Sequence, residues 1–136
     1  MPTIEKAIYN ALEKTIQASL AKTATFNTPD ELMPPTVKGV RVYLDVTAVS
    51  GTNPTLNVKV QVKDPASGSY SDMPGAAFAE KTATDFSELL IYPTGVADVA
   101  NSEINDNLTK TWRLVCTIGG TDTPTFTFTL GATYLY

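Results

Sequence analysis

Val40-Arg41-Val42-Tyr43-Leu44-Asp45-Val46, then Ser50-Gly51-Thr52-Asn53-Pro54, then Leu56-Asn57-Val58-Lys59-Val60-Gln61-Val62 decide the fold class of this 136-residue chain. In the two flanking runs the aliphatic residues take the even positions, and the odd ones between Val40 and Gln61 are polar or tyrosine. A period of two puts successive side chains on opposite faces of a strand, so each run has one buried and one wet face. That alternation is the mark of an antiparallel sheet. The central stretch is built of turn-forming residues, so the segment reads as a hairpin.

A second hairpin is expected near the C-terminus. Trp112, Leu114, Cys116 and Ile118 share one parity, as do Phe126, Phe128, Leu130, Ala132 and Tyr134, with Gly119-Gly120-Thr121-Asp122-Thr123-Pro124 between them. The two hairpins resemble each other around Gly51-Thr52-Asn53-Pro54 and Gly120-Thr121-Asp122-Thr123-Pro124. Two readings stay open: a duplicated hairpin, or turns of a kind that suit wide hairpins.

Shorter strands are expected over 77–83 and 88–92, with a further candidate over 23–26. Asp64-Pro65-Ala66-Ser67-Gly68 and Met73-Pro74-Gly75 read as turns, and 93–108 as a long polar connection with room for a short helix. Recurrent short strands with turn signals indicate an antiparallel β-sandwich or jelly-roll-like domain over residues 23–136. Residues 27–36 form a Pro-rich arm that cannot sit in a central strand.

The first 22 residues read differently. Ile4, Ile8, Leu12, Ile16 and Leu20 recur every four positions, with Glu5, Lys6, Glu13 and Lys14 mostly elsewhere. This predicts an N-terminal amphipathic α-helix over residues 1–22, opened by Pro2 and Thr3. Its apolar stripe suits either docking on a neighbouring subunit or covering the domain's own core.

Composition narrows the function. The chain is 43% apolar and 18% charged, which fits one folded domain. Its net charge is −4 and its ten basic residues form no run, against nucleic-acid binding and against attraction to an anionic membrane. No stretch approaches the roughly 20 apolar residues of a membrane helix, and no secretory signal is read at the start. Synthesis in the cytoplasm is the expectation.

With no histidine, Ser/His/Asp and Cys/His nucleophilic mechanisms are excluded. A single cysteine, Cys116, rules out an internal disulfide and falls on the inward parity of its strand, where it reads as a small buried hydrophobe. Fourteen acidic residues fall mostly on turns or outward strand positions, with no evident catalytic pair. Oxygen-rich loops at Asp64, Ser67, Ser69 and Asp72 and at Asp98, Asn101, Glu103, Asp106 and Asn107 do not match the EF-hand spacing and read as solvated turns. No catalytic residue, metal or cofactor is expected. Trp112, Phe126, Phe128 and Tyr134 read as core. Tyr43, Tyr70, Tyr92 and Tyr136 are candidates for an interface, where tyrosine is enriched.

Several stretches resemble a family of small virion structural proteins of tailed phages. They are Thr23-Ala24-Thr25-Phe26; Lys38-Gly39-Val40 and on through Leu44-Asp45-Val46-Thr47 to Gly51-Thr52; Val60-Gln61 with Lys63-Asp64-Pro65-Ala66-Ser67-Gly68; Ile91-Tyr92-Pro93; Thr111-Trp112-Arg113; and Thr117-Ile118-Gly119-Gly120-Thr121. They run in order across residues 23–134, which leaves the N-terminal segment outside the likeness. The resemblance implies a place in the particle, and no catalytic residues. The expected function is therefore capsid decoration, a cement protein binding the major capsid protein lattice. The alternatives are a tail or head–tail connector component, or a carbohydrate- or receptor-binding module. Symmetric lattice sites favour a homo-oligomer such as a trimer. The expected interface residues are Ile4, Ile8, Leu12, Ile16 and Leu20 with Tyr43, Tyr70, Tyr92 and Tyr136.

Overall fold

The computed structural model describes residues 12–136. Among them the protein is mostly β, with no helix, in one eight-stranded mixed sheet. The strands are β1 (Glu13–Lys22), β2 (Phe26–Asn27), β3 (Glu31–Leu32), β4 (Gly39–Lys63), β5 (Tyr70–Ala77), β6 (Asp85–Ile91), β7 (Glu103–Ile104) and β8 (Thr111–Leu135). The main path runs β1-β8-β4-β6-β7; β2 and β3 join β8, and β5 joins β4. All pairings are antiparallel except β6 with β7, so the expected wholly antiparallel arrangement is corrected at that edge.

The alternating runs are strands, as their period requires, but they do not form the two hairpins. β4 and β8 are each 25 residues long and pair with each other along their length. Leu44 faces Leu130 in one part of the ladder, and Val58 faces Cys116 in the other. The Gly-Thr-x-Pro segment of β4 and its counterpart in β8 are kinks within continuous strands, lying side by side. Ser50 pairs with Thr125, Thr52 with Thr121 and Thr55 with Gly119, with register shifts at this level.

Both strands turn here because their backbones enter the left-handed region. Gly51 has φ 104° and Gly120 φ 121°, with Asn53, Asp122 and Thr123 also positive. Glycine adopts such angles without strain, whereas a β-branched residue like Thr123 does so at a cost. Space is short as well. A Cβ on Gly51 would lie 2.7 Å from Pro124 Cα, and one on Gly120 2.9 Å from the Asn53 carbonyl oxygen. Thr52 Oγ1 donates to Asp122 Oδ2 across the junction.

The even-numbered face stays inward on both sides of the kink. Val40, Val42, Leu44, Leu56, Val60, Trp112, Leu114, Cys116, Phe126, Phe128 and Leu130 are all 0% exposed, and Tyr134 is buried with them. Leu89, Ile91 and Phe78 belong to the same cluster, with Met73, Ala76, Ile104 and Leu108. The far ends of the two long strands meet: Glu31, at the Trp112 level of β8, forms an ion pair with Lys14, at the Ala132 level. Leu108 N donates to the Lys38 carbonyl, tying the segment before β8 to the start of β4.

Residues 13–22 are a strand, which corrects the expected helix over that part of the chain; residues 1–11 lie outside the described part. A repeat of four does not by itself separate helix from strand, because i and i+4 share a face in both. A helix also needs apolar residues at i+3 and i+7, where Leu12 and Ile16 meet Thr15, Ser19 and Thr23. The deciding partner is β8, whose backbone donors and acceptors on that side need a ladder. β1 supplies it with two register shifts, and Gln17 Nε2 donates to the Phe128 carbonyl at 3.2 Å beside the second.

Smaller corrections follow the same logic. Met73-Pro74-Gly75, expected as a turn, lies inside β5, where the register against β4 shifts and Gly75 has φ 73°. Residues 78–83 form no regular strand, although Lys81 bridges Leu56. Residues 93–108 contain β7 and turns, with no helix.

Replacing Gly120 by alanine should cost about 1–3 kcal/mol, since both the dihedral and the neighbouring backbone oppose a side chain there. Urea unfolding of the variant measures this; an unchanged midpoint would show that the kink does not depend on that glycine.

Candidate interaction surface

Three tyrosine-bearing places lie on the outside, each assembled by different strands. The first is built on Tyr43. The odd positions of β4 point outward, so Arg41, Tyr43 and Asp45 face Leu90, Glu88 and Phe86 of β6 on one side. On the other side they face Thr133, Gly131 and Thr129 of β8. The Tyr43 ring stacks on Phe86 with centroids 6.2 Å apart and planes at 20°. Thr133 Oγ1 donates to the Tyr43 hydroxyl at 3.4 Å. Arg41 Nη1 donates to Glu88 Oε2 at 3.0 Å; both side chains are open to water, so the pair adds little stability. Beside Tyr43 is a shallow depression of about 580 Å³ over Gly131, with Glu13, Lys14, Thr15, Ala132 and Thr133 around it.

Phe86 was not among the expected interface residues, yet it is 57% exposed. Its parity was readable, since it is out of phase with the buried Leu89 and Ile91. Gly131 is likewise outside the expected interface residues, although a glycine amid alternating Thr and apolar residues is itself a signal.

The second place holds Tyr70. Asp30, on the Pro-rich arm, accepts the Tyr70 hydroxyl at 2.5 Å and Lys63 Nζ at 3.1 Å. The Arg113 guanidinium sits 3.4 Å from the Tyr70 ring centroid, a cation–π contact. Arg113 Nε donates to Gln61 Oε1 at 3.0 Å, and Gln61 and Lys59 both donate to Asp72 at 2.9 Å. The hydrogen bond from Tyr70, followed by that from Lys63, holds the Asp30 carboxyl below its usual range. The Asp30 hydrogen bond raises Lys63 in return. These groups satisfy one another, so Tyr70 serves first to pin the arm. Thr28 extends the pin inward: its N donates to the Leu114 carbonyl and its Oγ1 accepts from Leu114 N, each at 2.9 Å.

Tyr92 and Tyr136 form the third place, where the Tyr92 hydroxyl donates to the Tyr136 carbonyl. Tyr136 is 56% exposed. Of the apolar stripe, Leu12 and Ile16 are partly buried against the core and Leu20 is 54% exposed, while Ile4 and Ile8 lie outside the described residues. Tyr43 and Tyr92 thus lie on the same outer face of β4 and β6 with the Arg41–Leu90 pair between them, whereas Tyr70 lies at the other end of β4.

Several carboxylates of the oxygen-rich loops accept hydrogen bonds from nearby backbone and side-chain donors. Asp64 accepts from Ala66 N at 3.0 Å and from Ser67 Oγ at 2.7 Å, which lowers its carboxyl. Asp98 accepts from Asn105 N at 2.7 Å, and Asp106 from Asn107 N at 2.7 Å. Cys116 is fully buried, as its parity predicts, and burial pushes its thiol up to about 12.

The chain matches no protein-family model, and a search of curated proteins finds no match.

Two expectations follow. Asp30→Asn should speed amide exchange in residues 28–32 while leaving the β4–β8 ladder protected; unchanged exchange in the arm would show that the Tyr70–Lys63 pin does not hold it. Burial also makes the protein alkali-sensitive. Cys116 rises from 9.0 to about 12, and Tyr134, also raised mainly by burial, from 10.0 to about 12. Both groups favour the folded state while neutral, so their contribution is complete below about pH 9 and is lost as pH rises towards 12. Denaturant midpoints across that window should fall, and a thiol reagent at pH 8 should label Cys116 only after unfolding.

Proposed function

We propose that this chain is a non-catalytic virion structural protein of a tailed phage, acting as a capsid decoration protein on the lattice of the major capsid protein. The observation that carries this reading is the edge strand β1. It is ten residues long and mostly exposed, and among the described residues the main path of the sheet ends at it. An edge strand presents backbone donors and acceptors to a partner strand, and Leu20 adds an apolar side chain beside them. Many identical sites on a shell suit such repeated main-chain pairing, and they suit a small homo-oligomer such as a trimer.

We infer further that the domain is a β-sandwich made by folding one long ribbon. The support is threefold: both strands kink at one level, the same face is buried on either side, and the Lys14–Glu31 pair joins the ends. The sequence resemblance over residues 23–134 supports the place in the particle. Tyr70 lies at the other end of β4 from Tyr43 and Tyr92, which speaks for contact through an edge and against a three-ring sugar platform. The oxidation-independent fold, with one buried thiol, suits assembly in a reducing cytoplasm.

Purified protein sedimented with capsids assembled without it should bind saturably at a fixed ratio per capsomer. Leu20→Asp, with the fold checked by circular dichroism, should weaken binding about tenfold or more. Absence of saturable capsid binding, or retention on tail fractions instead, would sink decoration.

A further inference from the structure

We propose that the depression over Gly131 is a subsite for one pyranose ring of a glycan, with the Tyr43 ring as its stacking wall. β8 lies between β1 and β4 at this level, where Gly131 pairs with Thr15 on one side and Tyr43 on the other. An outward side chain at 131 would project into the space. Mid-strand glycine is unfavourable compared with a residue that can pack, because it loses more backbone freedom and contributes no contact. The ladder to β1 shifts register beside it, between Thr15 and Gln17, with the extra residue on β1 and not on β8; the other usual reasons for tolerating it are absent here. Gly131 is not among the positive-φ residues, and an added Cβ would sit 3.7 Å from the Lys14 carbonyl oxygen and 3.9 Å from Tyr43 Cδ2, ordinary contact distances. What the glycine provides is room.

The walls are already set. Tyr43 is held between Phe86 and the Thr133 hydroxyl, and its Cδ2 edge borders the space over Gly131. Thr15 and Thr133 bring hydroxyls, and Glu13 a carboxylate, to the same depression of about 580 Å³, within the range of small-ligand sites. An aromatic wall beside hydroxyls and a carboxylate matches a pyranose, whose C–H face packs on a ring while its hydroxyls pair with polar groups. An apolar side chain of a partner protein would leave those polar groups unpaired, which is costly once water is excluded. The depression is open, so a single subsite binds weakly and gains strength from many copies on one surface.

The test is independent of capsid binding. The full chain is titrated, by amide chemical shifts, with glucose, galactose, mannose and N-acetylglucosamine and their oligomers into the millimolar range. Saturable shifts centred on Thr15, Tyr43, Gly131 and Thr133 are expected with at least one of them. Tyr43→Ala should weaken that binding about tenfold, the loss of one ring contact. Gly131→Ala and Gly131→Val should also weaken it, with melting temperatures no lower than the parent's and capsid sedimentation unchanged. The proposal fails if none of the sugars moves these amides, or if the shifts survive Gly131→Val and Tyr43→Ala. A lowered melting temperature for Gly131→Ala would also overturn it, by showing that the fold itself requires the glycine.

Discussion

β4 and β8 hold their ladder through a change of direction because both strands bend at the same level. The bend needs two backbones at close range with left-handed dihedrals, and Gly51 and Gly120 supply both conditions. The even-numbered side chains then remain on the inside along the full length of the ribbon. The other strands depend on that pair. β1, β2 and β3 line one flank of β8, while β5 and β6 line β4. Burial of the shared face supplies the main driving force, which scales with the apolar area removed from water.

The outer surface is organised by the same ribbon. Odd positions of β4 and β8 place Tyr43 beside Gly131, and Arg113 over Tyr70 after that ring has been brought in by β5. These clusters differ in kind. Around Tyr70 each polar group has a partner, so the cluster fastens the Pro-rich arm. Around Gly131 the surface is left hollow, with a fixed ring at its side. A closed network contributes to shape, whereas an open one beside an aromatic ring can receive something. The edge strand β1 borders this second place through Glu13, Lys14 and Thr15, so both proposed contact surfaces share a strand.

A strand period of two was legible in Val40–Val46, Leu56–Val62, Trp112–Ile118 and Phe126–Tyr134, because alternation is a local property of the chain. The buried set followed from it, down to Cys116 and Trp112. The partners of those runs were not legible. Glycine, asparagine and proline mark a change of direction, but the same residues serve a tight reversal and a kink. Which one forms depends on whether another strand lies alongside, and that is a long-range fact. The N-terminal stripe failed similarly, since spacing by four suits both periods and the neighbouring strand decides between them.

On its own the sequence determined the class of structure, the inward face and the absence of histidine-based chemistry, because those follow from composition and from residues adjacent in the chain. Only the tertiary structure decided that β4 and β8 run together instead of folding back, that residues 13–22 are a strand that ends the sheet's main path among the described residues, and that Tyr43 meets both Phe86 and Gly131. Each of those depends on contacts between segments tens of residues apart, where the gain from burying one shared face outweighs local preference.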